Sequence, residues 1–546
     1  MEQNTPKESP RSDPTGQVIK DLLKAKLKSS ADLASFKRKI SKKYKISCPS
    51  NIELLKAYHE LLRKERIKGA EILENLLKTR PIRSLSGIVN ISVLTKPYPC
   101  PGKCLYCPIE KGIPKSYVSG EPAVERAKAL NFNPYLQGRK RIEMLKTEGH
   151  PTDKIELRIV GGTWSYYPQN YQNWFVKECF RAANEEILNI KNKKSKIKTS
   201  VLDDQQRRNE KAKHRIVGLS IETRPDFINP SEIKRLRELG ATMIELGIQS
   251  IYDDVLKKNL RGHSAKEIIL ATKLLKNAGF KVLYQMMPNL PGSNLKKDEK
   301  MFEELFKNPD LQPDLLKIYP CALLKEAPLF KLWKSGKYKP YSQKELVKLI
   351  INIKKIIPEY VRIQRITRDI PSKSIVSGPA KISNLRQILA DDMKKEGWNC
   401  KCIRCREIRG NYNSKEKIYL FRQDYKASGG KEIFLSFETI EADKHRMTAQ
   451  KNAKRKLYAL LRLRITSDGK AIIREIHTYG QLVPISETKI AAQHQGLGKR
   501  LVKEAEIIAR EEFGLKKIAV ISGVGVRGYF RNLGYKLEDT YMTKKL

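Results

Sequence analysis

The stretch KPYPCPGKCLYCP, residues 96–108, places Cys100, Cys104 and Cys107 in the spacing C-x3-C-x2-C on a loop broken by proline and glycine. A triad of thiolates without histidine or carboxylate suits an iron–sulfur cluster. A closed zinc site normally takes four protein ligands. Three ligands leave one iron of a [4Fe–4S] cluster open to a small molecule that chelates through an amine and a carboxylate. The competing reading is a zinc knuckle that borrows a remote fourth ligand.

Two further stretches carry chemistry. GWNCKCIRCREIRG contains Cys400, Cys402 and Cys405. Structural zinc is the expectation there, with Cys321 of KIYPCALL as the fourth ligand and His477, Cys48 and Cys179 as rivals. A second iron–sulfur cluster and unliganded thiols are the alternatives. QHQGLGKRLVKEAEIIA opens a helix with Gln493, Gly496 and Gly498 directly after a strand-like run. Glycines at a helix start let backbone N–H groups converge on a pyrophosphate.

The elements that must position these residues follow from periodicity. The chain has 546 residues, which implies two to four domains. Residues 1–17 read as a disordered tail. Residues 18–80 repeat apolar residues at three- and four-residue intervals, with lysine and arginine on the polar faces, and read as basic helices ending at Pro81. Residues 81–390 alternate six β-rich runs (IVNISVL, KIELRIVGG, RIVGLSIET, TMIELGIQS, KVLYQMMP, LLKIYP) with helical stretches that end at glycine. That alternation predicts an α/β fold with a parallel sheet or partial barrel, short of the eight strands of a complete one. The first cysteine triad follows the first strand, at the end of the barrel where such folds keep their active sites. A lysine-rich insertion, IKNKKSKIKTSVLDDQQRRNEKAKHR, reads as an exposed basic excursion. Residues 391–414 form a cysteine-bearing linker, and residues 415–546 a smaller α/β unit.

Lysine and arginine number 108 against 60 acidic residues, a formal net charge of +48. Such a chain binds polyanions by counterion release, with nucleic acid the first expectation and an anionic membrane the second. No apolar run is long enough for a membrane span, and the polar N-terminus lacks a secretory signal core. A cytoplasmic location, where thiols stay reduced, is therefore expected, and nine cysteines point to metal or cluster ligands rather than disulfides.

The first triad, with Tyr106 just before its third cysteine, resembles the signature of radical S-adenosylmethionine (radical SAM) enzymes. Gly161-Gly162-Thr163 at the end of the next strand resembles their glycine motif for the methionine amino group. The C-terminal unit resembles the GCN5-related N-acetyltransferases (GNAT). In order and length the two together resemble one family, the catalytic subunit of Elongator and its stand-alone relatives. The resemblance runs from about residue 80 to the end, through LNFNPYLQGRKRIEMLKTEGHPTDKIELRIVGGT, SIETRPD, ELGIQS, RDIPS, QHQGLG and KIAVISGVGVRGYFRNLGYKL.

The resemblance implies a partial (β/α)6 radical SAM barrel followed by a GNAT domain. It implies C5 modification of the tRNA wobble uridine to a carboxymethyl-type product, with S-adenosylmethionine as radical source and acetyl-coenzyme A as carbon donor. On it, Glu475, Ile476 and His477 lie on the strand that pairs with the pantetheine arm, and Gln493, Gly496, Leu497 and Gly498 hold the pyrophosphate. Tyr529 lies close to the thioester, as a hydrogen-bond donor more than a base. Lys154 matches a lysine directed at acetyl-coenzyme A from the barrel side. Arg362, Arg365 and Arg368 are candidates lining the approach of the anticodon stem-loop. The family usually has Asn-Tyr-Tyr where this chain has Gly528-Tyr529-Phe530, so a role for a second phenol is not expected. The sequence is compatible with a homodimer and requires no accessory subunit. The rival readings are a protein lysine acetyltransferase with a structural cluster and an RNA-binding assembly protein with degenerate sites.

Overall fold

A computed structural model describes residues 14–25, 27–64, 67–185, 201–382, 384–410, 413, 415–440, 455–480 and 496–546. The chain divides into two compact units, one drawn from residues up to Ser84 with Lys140–Thr152, the other from Leu85–Arg139 and Asp153–Leu546.

The first unit holds helices α1 (Pro14–Lys24), α2 (Ser30–Tyr44), α3 (Asn51–Arg63) and α4 (Glu71–Leu77). Residues 14–17, expected in the tail, are therefore helical; residues 1–13 lie outside the described residues. Ser29 with Asp32 and Ser50 with Glu53 form capping boxes that fix the starts of α2 and α3. Val18, Leu22, Leu33, Ile40, Leu54 and Tyr58 close one small core. Arg38, Lys39, Lys42 and Lys43 face solvent. The end of α5 (Pro134–Thr147) joins this unit.

The second unit contains two seven-stranded sheets. The first is entirely parallel and runs in chain order through β1 (Val89–Leu94), β2 (Lys154–Val160), β3 (Arg215–Thr223), β4 (Met243–Gln249), β5 (Lys281–Met286), β6 (Leu315–Ile318) and β7 (Arg362–Arg365). It is the partial barrel expected. The six sequence-read strands are all present, and β7 extends them; four residues of alternating polarity gave it no apolar signal. In β2 the buried Ile155, Leu157 and Ile159 alternate with Lys154, Glu156 and Arg158. The register carries that polar face onward, from Arg158 to Ser220 and from Glu222 to Glu245.

Among the barrel helices are α6 (Gln169–Asn184) and α7 (Leu202–Asn209). The latter corrects the reading of the lysine-rich insertion as wholly exposed. Asn209 is fully buried and bonds Asn184 Oδ1 at 2.8 Å and the Ile216 amide at 2.8 Å, which docks α7 on the barrel. Residues 190–200 of that insertion lie outside the described residues.

The second sheet contains β8 (Tyr419–Ala427), β9 (Gly430–Ile440), β10 (Arg455–Ile465), β11 (Ala471–Thr478), β12 (Lys517–Val520), β13 (Lys536–Glu538) and β14 (Tyr541–Lys545), in the order β8-β9-β10-β11-β12-β14-β13. Strand β11 pairs with β12 only through Ala471–Ile473. From Glu475 to Thr478 it keeps β10 on one edge, and among the described residues has no strand on the other. This sheet meets the N-terminal ends of the barrel strands. Arg474 forms a fully buried ion pair with Asp314, just before β6, and donates to the Phe280 carbonyl, just before β5.

Candidate active site

The cysteine loop leaves β1 at the opposite, C-terminal end of the barrel. Cys100 Sγ lies 3.6 Å from Thr163 Oγ1, beside the glycine pair that ends β2. Arg261 Nη1 donates to Cys104 Sγ at 3.5 Å. A Cβ at Gly102 would stand 3.5 Å and 3.6 Å from the sulfurs of Cys104 and Cys100, and only 2.6 Å from Arg224 Nη1. The loop therefore passes between the two sulfurs and a guanidinium where no side chain fits. Burial alone would raise the Cys104 thiol, but Arg261, and after it Tyr106 and Arg224, outweigh that and hold it below its ordinary value. Cys107, buried beside Cys104 and away from those guanidinium groups, is pushed up to about 12. Arg224 Nη1 is buried without a hydrogen-bond partner. A cationic lining with an unmet donor fits an anionic cluster on thiolate ligands.

Gly161 has φ +148, and a Cβ there would overlap Thr95 Oγ1. Tyr167 locks this turn: its hydroxyl lies 2.9 Å from Thr95 Oγ1 and donates to the Lys96 carbonyl at 2.7 Å. The glycine pair is thus pressed against the start of the cysteine loop.

Between the two ends the barrel interior is polar, which the sequence analysis did not anticipate. Arg158 donates to Glu245 at 2.5 Å and to Gln364 at 3.1 Å. Lys317 pairs with both Glu245 and Glu222. Gln285 and Tyr117 each reach Glu222 at 3.1 Å, and Ser220 reaches Glu245 at 2.7 Å. Burial opposes the Glu245 charge, but Arg158 and Lys317 overcome it and hold the carboxyl far below the usual range. Met243, Leu283 and Leu315 form a small apolar patch inside this lining. The signal was available: glutamate, arginine and lysine occupy alternate positions in strands otherwise built of isoleucine and leucine.

At the N-terminal end of the barrel lie the residues expected to meet the acetyl donor. Lys154 opens β2, and burial draws its ammonium down to about 8. Lys281, at the start of β5, holds Glu475 at 3.2 Å, and Arg462 holds the other Glu475 oxygen at 2.7 Å. His477 Nε2 lies 2.7 Å from the Ser86 carbonyl, and its ring stacks on Tyr479. Gly496 adopts φ +72 and caps helix α8 (Leu497–Ile507), whose first turn carries no acidic residue. A Cβ at Gly498 would lie 3.2 Å from the Tyr529 hydroxyl and 3.5 Å from Ile476. Glycine, phenol and the open edge of β11 thus converge. Burial pushes Tyr529 up to about 12, which suits a donor and not a base. Phe530 is buried edge-on against Tyr535, a place where a hydroxyl would need a partner. Gln493 lies outside the described residues.

The sulfurs of Cys400, Cys402 and Cys405 all lie within 4.8 Å of one another. Tetrahedral zinc with Zn–S bonds of about 2.3 Å spaces its sulfurs by roughly 3.8 Å, so the triad fits a zinc ion after small adjustment. Hydrogen bonds from Cys400 and Cys405 favour the thiolate of Cys402. The expectation for Cys321 is corrected: it sits in an apolar cluster with Val255, Leu290 and Leu323, apart from the triad. Of its rivals, His477 is engaged with Ser86 and Tyr479, and Cys179 is buried within α6.

Arg362 turns into the linker, 2.7 Å from Glu407 and 3.3 Å from the Tyr479 hydroxyl. Arg368 pairs with Glu121 at 3.1 Å and covers the Tyr117 ring. Arg365 pairs with Asp369 and is the most exposed of the three.

A parallel partial barrel with a three-cysteine loop after its first strand and a glycine turn after its second defines a radical SAM enzyme. Residues 98–305 match the model of the Radical SAM superfamily, and residues 313–395 that of the Radical_SAM C-terminal domain. The tRNA uridine(34) acetyltransferase of Methanocaldococcus infernus is 43% identical over 97% of this chain and 98% of its own. Elongator complex protein 3 of Homo sapiens is 38% identical over 97% and 96%. The solved structure of the archaeal Methanocaldococcus infernus Elp3 with N-terminus deletion (1-46) superposes with a TM-score of 0.71, at 42% identity, over 85% of this chain and 100% of that one. The chain belongs to the family of the tRNA uridine(34) acetyltransferases and Elongator complex protein 3. No described helix is long and apolar enough to cross a membrane.

Proposed function

We propose that this protein modifies the wobble uridine of tRNA at C5, with acetyl-coenzyme A as carbon donor and a carboxymethyl-type uridine as product. The observation that carries the reading is the arrangement of the second unit. One polar barrel interior has a cysteine triad at its C-terminal end and, at its N-terminal end, a helix start at Gly496–Gly498 beside Tyr529 and the free edge of β11. The relatives' names supply the substrate class.

Cys100, Cys104 and Cys107 would hold a [4Fe–4S] cluster, and the Gly161–Gly162 turn would hold S-adenosylmethionine. When bound, a cluster there would supply the one-electron reducing chemistry that cleaves that cofactor, a sensible source of reactivity towards an unactivated vinylic carbon. Arg261 and Arg224 neutralise the thiolates, and the walls around them exclude water. At the other end, the first turn of α8 would take the pyrophosphate of coenzyme A and the free edge of β11 its pantetheine arm. The Tyr529 hydroxyl donates to the thioester, and Lys154 faces the acetyl group from the barrel. Glu222, Lys317, Gln285 and Arg158 offer fixed donors and acceptors to the edge of an unpaired base, which a single-stranded loop can present at low cost. Zinc at Cys400, Cys402 and Cys405 would brace the linker between the two sheets.

The basic helices of the first unit would hold tRNA phosphates; unchanged tRNA affinity after deletion of residues 1–80 would remove that role. The central test is anaerobic incubation of the reconstituted enzyme with tRNA, both cofactors and a reductant. The expected products are 5′-deoxyadenosine and a C5-modified wobble uridine. Acetyl transfer onto lysine side chains alone would establish the lysine acetyltransferase reading instead.

A further inference from the structure

A row of aromatic rings flanks the cysteine loop at the C-terminal end of the barrel. Tyr98, two residues before Cys100, stacks on Tyr167 with centroids 4.8 Å apart and planes at 28°. Tyr167 stacks in turn on Tyr171 at 5.1 Å and 22°, and Tyr171 meets Trp174 at 5.7 Å. On its other side Tyr98 meets Tyr166 at 6.0 Å. The inner rings are anchored: Tyr167 by the bonds that lock the glycine turn, Tyr171 by the Lys96 amide, which donates to its hydroxyl at 3.1 Å. The end rings are open, Tyr166 at 41% exposure and Trp174 at 40%.

Cations accompany the row. Lys96 is exposed, with Nζ 4.9 Å from the Tyr171 centroid. Arg235 is held beside α6 by the Gln169 carbonyl and Asn173, both at 2.9 Å. A single exposed ring needs no explanation. Two open rings, tilted at 58° and 39° against the two ends of a stack of three, lie beside the cysteine loop with cations nearby and form a surface for flat anionic polymers. Base-on-aromatic stacking with nearby cations is the way unpaired nucleotides are held. A protein partner would call for aliphatic contacts around the rings. Here the neighbours are Phe227 beside Tyr166 and Phe175 beside Trp174, with Lys96 over Tyr171 and Arg235 held on Gln169 and Asn173, on a chain of net charge +48.

We propose that Tyr166 and Trp174 are stacking platforms for the unpaired nucleotides on either side of the reacting uridine. The inference rests on the tRNA reading above. Extruding one base into the barrel breaks its stacking with both neighbours, and the two rings replace those lost contacts. The platform fixes the loop backbone and so the depth to which the central base enters.

The test measures binding of the cluster-loaded full chain to an anticodon stem-loop RNA. A second pair of RNAs lacks the base at one or the other neighbour of the wobble position. Tyr166→Ala and Trp174→Ala each weaken binding to the intact stem-loop by roughly 5- to 100-fold, from about 1–3 kcal/mol per stacked base. Tyr166→Phe restores binding, and melting temperatures stay native because both rings face solvent. For each alanine variant the loss vanishes on one of the abasic RNAs, where the native protein binds equally weakly. Native affinity in both alanine variants, or an equal loss on every RNA, overturns the platform. If the unaltered protein fails to prefer the stem-loop over a duplex of equal length, the tRNA reading itself fails.

Discussion

Lys281, the first residue of a barrel strand, lies 3.2 Å from Glu475 on the open-edged strand of the second sheet. This bond ties the barrel wall to the open-edged strand of the second sheet. Below it Asp314 meets Arg474, with Arg462 and Lys276 close by and no solvent exposure. The two sheets are therefore joined through charges that have no alternative partner in water.

Removing Asp314 leaves Arg474, Arg462 and Lys276 buried with one carboxylate fewer. Asp314→Asn should cost about 3–5 kcal/mol of stability in denaturant titrations, far more than a surface change. Burial alone would raise the Asp314 carboxyl, but Arg474, then Lys276 and Arg462, hold it well below its ordinary value. A lowered folded pKa stabilises above the unfolded value near 3.9 and is lost as pH falls. Native protein should lose stability below about pH 4, and Asp314→Asn should lose less there.

Lys154 has the opposite dependence. Its folded value of about 8 lies below the ordinary 10.5. Between these the unfolded chain binds more protons, so stability rises with pH over that window and is flat below it. Lys154→Met should remove the rise. Amine-directed labelling of Lys154, followed by peptide mass mapping, should show a midpoint near pH 8; a midpoint near 10.5 would refute the burial argument.

Gly498 and Tyr529 separate binding from chemistry. A methyl at position 498 would press on the Tyr529 hydroxyl at 3.2 Å and fill the cleft. Gly498→Ala should weaken acetyl-coenzyme A binding by at least tenfold in calorimetry, whereas Tyr529→Phe should bind within about threefold of native and turn over roughly 10- to 100-fold more slowly, one donor being worth about 1.5–3 kcal/mol.

The two cysteine triads should separate by metal. Cys104→Ala should abolish the iron content and visible absorbance of the anaerobically reconstituted protein and leave zinc intact. Cys402→Ser should do the reverse and lower the melting temperature. Loss of both metals in either variant would mean that the sites are not independent.

Much of the site was legible in the chain because it is local. A spacing of three and two residues sets the reach of three thiols whatever the rest of the fold does. Gly161 and Gly496 announce turns with positive φ. The six β-rich runs mark a parallel sheet because each is separated from the next by a helical stretch long enough for a crossover. The strand Arg362–Arg365 was missed because its four residues alternate too briefly, and its arginines read as candidates for the approach of the anticodon stem-loop.

By itself the sequence determined the cysteine spacings, six of the barrel strands and the glycine turns, since each depends on a few neighbouring residues. Only the tertiary structure decided that Cys321 belongs to an apolar cluster, that Arg362 faces Glu407, that Glu222, Glu245, Arg158 and Lys317 share one chamber, and that the second sheet docks at the N-terminal ends of the barrel strands. Those contacts join residues tens to hundreds of positions apart. Their pairing is set by how buried charges find counter-charges when the sheets close, and periodicity along a chain does not encode it.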